Sequence, residues 1–253
     1  MAQLTKKGEC IISLQPNNFN LESTTIWSFP DRGNWATHSG KYRGNWSPYV
    51  PRNLILRYSN SGEWILDQFM GSGTTLIEAK LLDSNAVGVD INPQAVSCSK
   101  TNLQFQCETK SKIFTLNGNA TDLYFIKDNH IDFICTHPPY ANIIKYSNGI
   151  EGDISLLCVE EFLSEMKKVA EESFRVLRKG KMCAVMIGDV RKYGKVVPLG
   201  FRMMECFLQV GFTNKEIIIK EQHNCRSTEY WEKQNNNFLL LAHEYIFVFQ
   251  KAG

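Results

Sequence analysis

The sequence predicts an α/β protein built on a doubly wound sheet of seven strands, mostly parallel, with an antiparallel last strand. Three observations carry this. Short apolar runs that read as buried strands alternate with segments whose apolar residues recur at helical spacing. The first strand is joined to the first long helix by a Gly-x-Gly turn, Gly71-Ser72-Gly73. The last two strand-like runs follow one another without a helix between them, as an antiparallel hairpin does, which puts an antiparallel strand at the sheet edge.

At 253 residues with 43% hydrophobic content, the chain is long enough for one large domain and too apolar to be disordered. The expected organisation is an amino-terminal arm over residues 1–30 and a single domain over 31–253. A formal charge of +2 excludes a polycation, so any nucleic-acid contact must come from a local basic surface. The eight cysteines contain no CxxC pair, and several sit inside apolar runs, so they read as free thiols rather than disulfides or a metal site. No leader and no membrane-length apolar span is apparent, and the expected location is the cytoplasm.

Taken in order, the arm is polar and unpatterned. Residues 38–52 are dense in aromatic, basic and Gly/Pro residues, among them Lys41, Arg43 and Trp46, and precede a short helix at 53–58. They suit either a surface loop or a platform that stacks on a flat ligand and steers a phosphate backbone. A strand at 64–67 ends in Asp67, and the glycine turn then opens a helix through 82. Gly71 and Gly73 allow a backbone to pass close to a bound cofactor, with free N–H groups at the helix start. The phosphate-loop pattern fails because no Lys follows the second glycine, and the dinucleotide pattern fails because Leu76 stands at the third glycine position.

A strand at 86–90 ends in Asp90, placed either to accept from ribose hydroxyls or to cap the next helix, as Asn92 also could. That helix spans 93–106. A strand at 112–116 leads to a turn containing Asn119 and Ala120, which reads as a plain turn or as the edge of a nucleobase pocket. The strand at 131–135 ends in Thr136-His137-Pro138-Pro139-Tyr140. Two prolines cannot extend a sheet ladder, so a rigid turn with unoccupied carbonyls forms at a strand's carboxyl end, where open α/β sheets bind ligands. After a polar loop at 142–153, an amphipathic helix at 159–177 is stopped by Arg178-Lys179-Gly180-Lys181, with Gly180 as cap. A strand at 182–187, a helix at 198–210, a strand at 213–220, a polar loop at 221–237 and a strand at 243–250 complete the chain.

With the glycine turn, the acid after the second strand and the Pro-Pro-Tyr after the fourth in one order, residues 38–251 resemble the S-adenosylmethionine-dependent DNA amino-methyltransferases. Those enzymes methylate cytosine N4 or adenine N6. The resemblance is most specific at Asp67-Gln68-Phe69-Met70-Gly71-Ser72-Gly73-Thr74-Thr75 and at Thr136-His137-Pro138-Pro139-Tyr140, with further support from Trp46-Ser47-Pro48-Tyr49-Val50-Pro51. It implies a Rossmann-like class I methyltransferase fold with S-adenosylmethionine as donor and S-adenosylhomocysteine as product. Trp46, Pro48, Asp67, Phe69, Gly71, Ser72, Gly73, Thr74, Asp90, Asn92, Asn119 and Ala120 would hold the cofactor. Thr136, His137, Pro138, Pro139 and Tyr140 would hold the flipped base. No metal is implied, because the methyl donor carries its own positive charge.

Two positions depart from the pattern. Gln68 stands where many relatives have proline, and His137 stands where cytosine-N4 enzymes carry serine and adenine-N6 enzymes aspartate. Thr136 and the Tyr140-Ala141-Asn142 continuation look more like the cytosine-N4 group. The implied partner is duplex DNA, met through target-recognition loops at 142–153 and 221–237 and through Lys41, Arg43, Arg226, Tyr230 and Trp231. The resemblance also allows a cognate restriction endonuclease, and monomer and homodimer both stay open.

Overall fold

The strands form where β-branched and aromatic runs are bounded by Gly, Asn or Pro. The computed structural model describes residues 13–224 and 237–253, together with two short strands at 3–4 and 10–11. In chain order the elements are β1 (Gln3–Leu4), β2 (Cys10–Ile11), β3 (Ile26–Trp27), α1 (Tyr49–Tyr58), β4 (Trp64–Asp67), α2 (Thr74–Leu81), β5 (Asn85–Asp90) and α3 (Pro93–Asn102). There follow β6 (Ile113–Asn117), β7 (Ile131–Thr136), α4 (Val159–Val176), β8 (Leu177–Ile187), β9 (Val190–Lys192), β10 (Lys195–Val197), α5 (Leu199–Val210), β11 (Phe212–Glu221) and β12 (His243–Lys251).

The central sheet runs β3-β11-β12-β8-β7-β4-β5-β6. Its strands from β6 through β8 are parallel. The seven strands expected are present, with β3 added as a short eighth at the edge. The last strand is antiparallel as expected, yet it does not lie at the edge: β12 is inserted between β8 and β11 and pairs antiparallel with both. Its burial explains this. Phe247 and Phe249 enter the core under α4 and α5, while Ile246 and Val248 enter the one under α1 and α2. A strand apolar on both faces needs neighbours on both edges. The half-exposed β11 takes the outer place.

Three further expectations are corrected. First, residues 24–29 are no separate arm. Trp27 is 1% exposed among Leu54, Ile65 and Val248, and β3 pairs parallel with β11. Second, Gly180 does not cap a helix. Helix α4 ends at Val176 and Leu177 starts β8 at once. Ion pairs from Arg178 to Asp132 and from Lys181 to Glu63 hold the basic run in extended backbone. The extra residues loop out as a bulge, with Ile131 opposite Leu177 but Phe133 opposite Met182, and Gly180 supplies the positive φ of 77° that the bulge needs. Third, α3 stops at Asn102 because the ammonium of Lys80 draws in the carbonyls of Leu103 and Phe105. Among the described residues, no helix is long and apolar enough to cross a membrane, and Cys98, Cys107, Cys135, Cys158, Cys183 and Cys206 are free.

Candidate active site

The carboxyl ends of β4, β5 and β7 meet at Asp67, Asp90 and Thr136. Asp67 is sealed in the sheet, where it accepts from Thr75 Oγ1 at 2.5 Å, Thr136 Oγ1 at 2.8 Å and Phe69 N at 3.1 Å. Burial pushes its pKa up to about 6, against the pull of those donors. Asp67 is therefore the knot that ties the glycine turn to the neighbouring strand. Asp90 ties the turn from the other side, with one oxygen accepting from Gly71 N and the other from Asn92 N, both at 2.9 Å. At Gly73, φ is +87° and a Cβ would come 2.4 Å from Ser99 Oγ, so only glycine fits the start of α2.

These turns line a cavity, together with Trp46, Phe69, Gly71, Thr74, Asn92, Asn119 and Ala120. Two buried side-chain atoms on its wall lack partners: the amide nitrogen of Gln68 and one carboxylate oxygen of Asp153. An unpaired donor and an unpaired acceptor on one cavity wall fit a ligand that carries both signs of polarity. Tyr42 and Tyr146 stack above it, rings 6.5 Å apart and 17° from parallel.

A second, wider cavity of about 2160 Å³ adjoins the first. His137, Pro139, Trp46 and Tyr146 belong to both, so the turn after β7 is the partition between them. Pro138 and Tyr140 face only the wider one. The His137 ring stacks on Trp46, 5.4 Å apart and 21° from parallel. Its Nε2 lies 2.8 Å from Tyr140 Oη, which donates to Glu244 Oε1 at 2.6 Å, and Lys220 Nζ donates to Glu244 Oε2 at 3.0 Å. Burial pushes the His137 pKa down to about 4, so the ring is neutral at pH 7. Burial alone would raise the carboxyl of Glu244, but the Lys220 cation and the hydrogen bonds from Tyr140 and Lys220 outweigh it and hold it below its ordinary range. The ring of Tyr140 lies against Gly188, where a Cβ would come 3.0 Å from its Cε2.

A family model described as DNA methylase matches residues 2–101 and 131–253. The chain belongs to that family. A second model, an RMKL-like methyltransferase domain, matches residues 55–189. Among curated relatives, a tRNA (guanine(10)-N2)-dimethyltransferase of Methanothermobacter thermautotrophicus is 35% identical over 48% of this chain and 34% of its own length. A type II methyltransferase of Geobacillus stearothermophilus is 43% identical over 35% of this chain and 15% of its own length, and one of Bacillus subtilis is 29% identical over 46% and 35%. The chain thus spans about a third or less of the length of these relatives. Among solved structures, TrmN from Thermus thermophilus matches with a TM-score of 0.56 at 18% identity, over 83% of this chain and 50% of that one. A SAM-dependent methyltransferase from Methanosarcina mazei matches at 0.54 and 15%, over 79% and 97%. Both likenesses show the class I methyltransferase fold. The cofactor is S-adenosylmethionine, and the unpaired atoms of Gln68 and Asp153 suit its amino, hydroxyl and carboxylate groups.

Of the residues expected to hold the cofactor, Trp46, Asp67, Phe69, Gly71, Thr74, Asp90, Asn92, Asn119 and Ala120 line the first cavity, whereas Pro48, Ser72 and Gly73 stand behind its wall. Asn92 both caps α3, accepting from Gln94 N, and donates to the carbonyl of Tyr146. Thr136, expected in the base pocket, lines neither cavity, because its hydroxyl is spent on Asp67. Lys41 and Arg43 are exposed on the segment that closes the first cavity. Arg226, Tyr230 and Trp231 lie outside the described residues. Sequence reasoning missed Tyr42, Tyr146, Asp153, Lys220 and Glu244. One signal was available for the last pair: Glu244 is a carboxylate in an otherwise apolar strand, and Lys220 stands opposite it in the β11–β12 register.

Proposed function

We propose that this DNA methylase transfers the methyl group of S-adenosylmethionine to the exocyclic amine of a base turned out of duplex DNA, preferring N4 of cytosine over N6 of adenine. One observation carries the reading: the His137–Tyr140 turn stands between two adjoining cavities. A group bound in the first can meet a base held in the second across that turn, beside Trp46 and Tyr146.

S-adenosylmethionine supplies an electrophilic methyl group on a positively charged sulfur. The chain supplies alignment. An exocyclic amine is a poor nucleophile because its lone pair is delocalised into the ring. Accepting both of its N–H bonds, at the Pro138 carbonyl and at a ring nitrogen of His137, draws the nitrogen toward tetrahedral geometry and aims the lone pair at the cofactor pocket. With a pKa near 4, His137 is a competent acceptor and a weak base, so it orients the amine and the departing proton passes to solvent. Stacking on Tyr140, worth roughly 1–3 kcal/mol per base, offsets part of the cost of unstacking.

DNA as substrate is supported by the rim of the wider cavity. The β9–β10 hairpin brings Arg191 and the 91% exposed Tyr193 there, and Lys192 and Lys195 are exposed on the same hairpin. Lys41, Arg43, Arg226, Tyr230 and Trp231 are proposed to contact the duplex alongside them. The type II methyltransferases among the relatives support a cognate restriction endonuclease as partner. A second reading, an RNA guanine-N2 methyltransferase, is favoured by the match to the tRNA dimethyltransferase. Incubation with labelled cofactor and either duplex DNA or tRNA, followed by nucleoside analysis, separates them. N4-methylcytosine is expected. N6-methyladenine alone overturns the cytosine preference, and label in tRNA with none in DNA overturns the DNA reading.

A further inference from the structure

The residue at position 137 is a ring with two nitrogens, and which of them accepts decides what the partition can bind. Four side chains from three strand ends settle this by donor arithmetic. Lys220 on β11 can only donate, and its ammonium is 3.0 Å from Glu244 Oε2. Glu244 on β12, ionised beside that cation, can only accept, so Tyr140 must give its single O–H to Oε1 at 2.6 Å. The phenol oxygen then has only lone pairs left. Its 2.8 Å contact with His137 Nε2 is therefore an N–H donated by the histidine. A neutral imidazole has one N–H, so Nδ1 carries a lone pair. Stacking on Trp46 fixes the plane of the ring in which that lone pair lies.

We propose that Lys220, Glu244 and Tyr140 form a tautomer lock that holds His137 with Nε2 protonated, making Nδ1 a fixed acceptor for a base that presents an exocyclic amine to it and a repulsive neighbour for one that presents a carbonyl. The first half of this statement concerns the protein alone; the second rests on the methyl-transfer reading. Glu244 and Lys220 are positioning residues, since they reach the base only through Tyr140 and His137. The lock explains how histidine serves where relatives carry a serine or an aspartate: an unconstrained imidazole would present a donor to the base for part of the time, and a fixed one presents only an acceptor. It also gives position 137 a way to prefer cytosine, adenine or guanine, which carry an exocyclic amine, over thymine or uracil, which do not.

The lock is read directly by nitrogen-15 NMR of the histidine rings in the full chain at pH 7, without cofactor or DNA, with His137→Asn identifying the signal. Protonated Nε2 and bare Nδ1 are expected in the wild type, and a tautomer mixture in Tyr140→Phe. A His137 signal with Nδ1 protonated, or a mixture in the wild type, overturns the lock whether or not any methylation is found. The link to the base is read by a double-mutant cycle on single-turnover rates, with cofactor affinity measured by calorimetry. Glu244→Gln is expected to slow transfer about tenfold, about 1.4 kcal/mol, with cofactor binding unchanged and with no further loss in the His137→Asn background. Equal slowing in both backgrounds overturns the positioning role. If no substrate is methylated while the NMR pattern holds, the functional reading falls and the lock stands.

Discussion

Among the described residues, two glutamates are buried with a cation, a histidine and an aromatic donor nearby, and they do opposite things. Glu78 on α2 is a hub. Trp35 Nε1 and His38 Nε2 both reach its Oε1 at 2.7 Å, and Arg52 reaches Oε2 at 2.8 Å. Every donor ends on the carboxylate, the side chain is fully buried, and the result is a weld between the segment at 35–52 and α2. Glu244 is a link. Its cation and its aromatic sit on different oxygens, and the histidine is reached only through the tyrosine, at the far end of a chain that faces two cavities. The same residue types give rigidity when they converge and direction when they are strung out.

The largest effect separates the two on stability. Glu78→Ala strands Arg52 in the interior and should cost about 3–5 kcal/mol in urea unfolding, with the His137 ring signals unchanged in whatever fraction remains folded. A loss below 1 kcal/mol would make the hub ornamental. Next comes acid. The folded ring of His137 binds its proton only near pH 4, whereas an unfolded histidine does so near 6.5. Between those values the unfolded state holds more protons, so stability is present above 6.5 and drains away as pH falls toward 4. Relative to His137→Asn, the wild type should lose on the order of 2–3 kcal/mol across that window. Asp67, shifted up to about 6, contributes the opposite slope in both proteins and cancels in the comparison.

Glu244→Ala should cost less stability than Glu78→Ala, about 1–2 kcal/mol, because Lys220 keeps 13% of its side-chain surface exposed and can turn to water. Its larger consequence is a slower methyl transfer, and a mutant slowed no more than a surface control would erase the distinction between hub and link. The smallest effect is the most diagnostic. Lys220→Met removes the cation that holds the Glu244 carboxyl down, so that carboxyl becomes protonated at higher pH and the tyrosine is no longer obliged to donate to it. The pH below which transfer falls off should therefore move up; an unmoved fall-off would mean that Lys220 does not set the direction of the chain.

Much of this was legible in the sequence because it is local. Gly71-Ser72-Gly73 after an apolar strand, Asp90 at the end of the next and two prolines after a third each carry their meaning within a few residues. The Glu244 link was not, because Tyr140 and Glu244 are 104 positions apart and meet only through the pairing of β12 with β8. The place of β12 itself was hidden for a related reason: a hairpin pattern says that two strands pair, not which one faces the rest of the sheet. Gly180 misled because a basic run followed by glycine is a good local helix stop, and only the ion pairs to Asp132 and Glu63 reveal it as a bulge. Asp153 was invisible since a lone acid in a polar loop announces nothing until its oxygen is seen to lack a donor.

The insertion of β12 between β8 and β11 also sets an order of arrival during synthesis. Every wall of the first cavity comes from residues up to Val169, whereas the second needs Lys220 and Glu244. A chain leaving the ribosome thus has the material of its first cavity well before that of its second. Until the closing strand slides into place, Tyr140 lacks the Glu244 acceptor to which it donates, and the ring of His137 lacks the anchor at the far end of its chain.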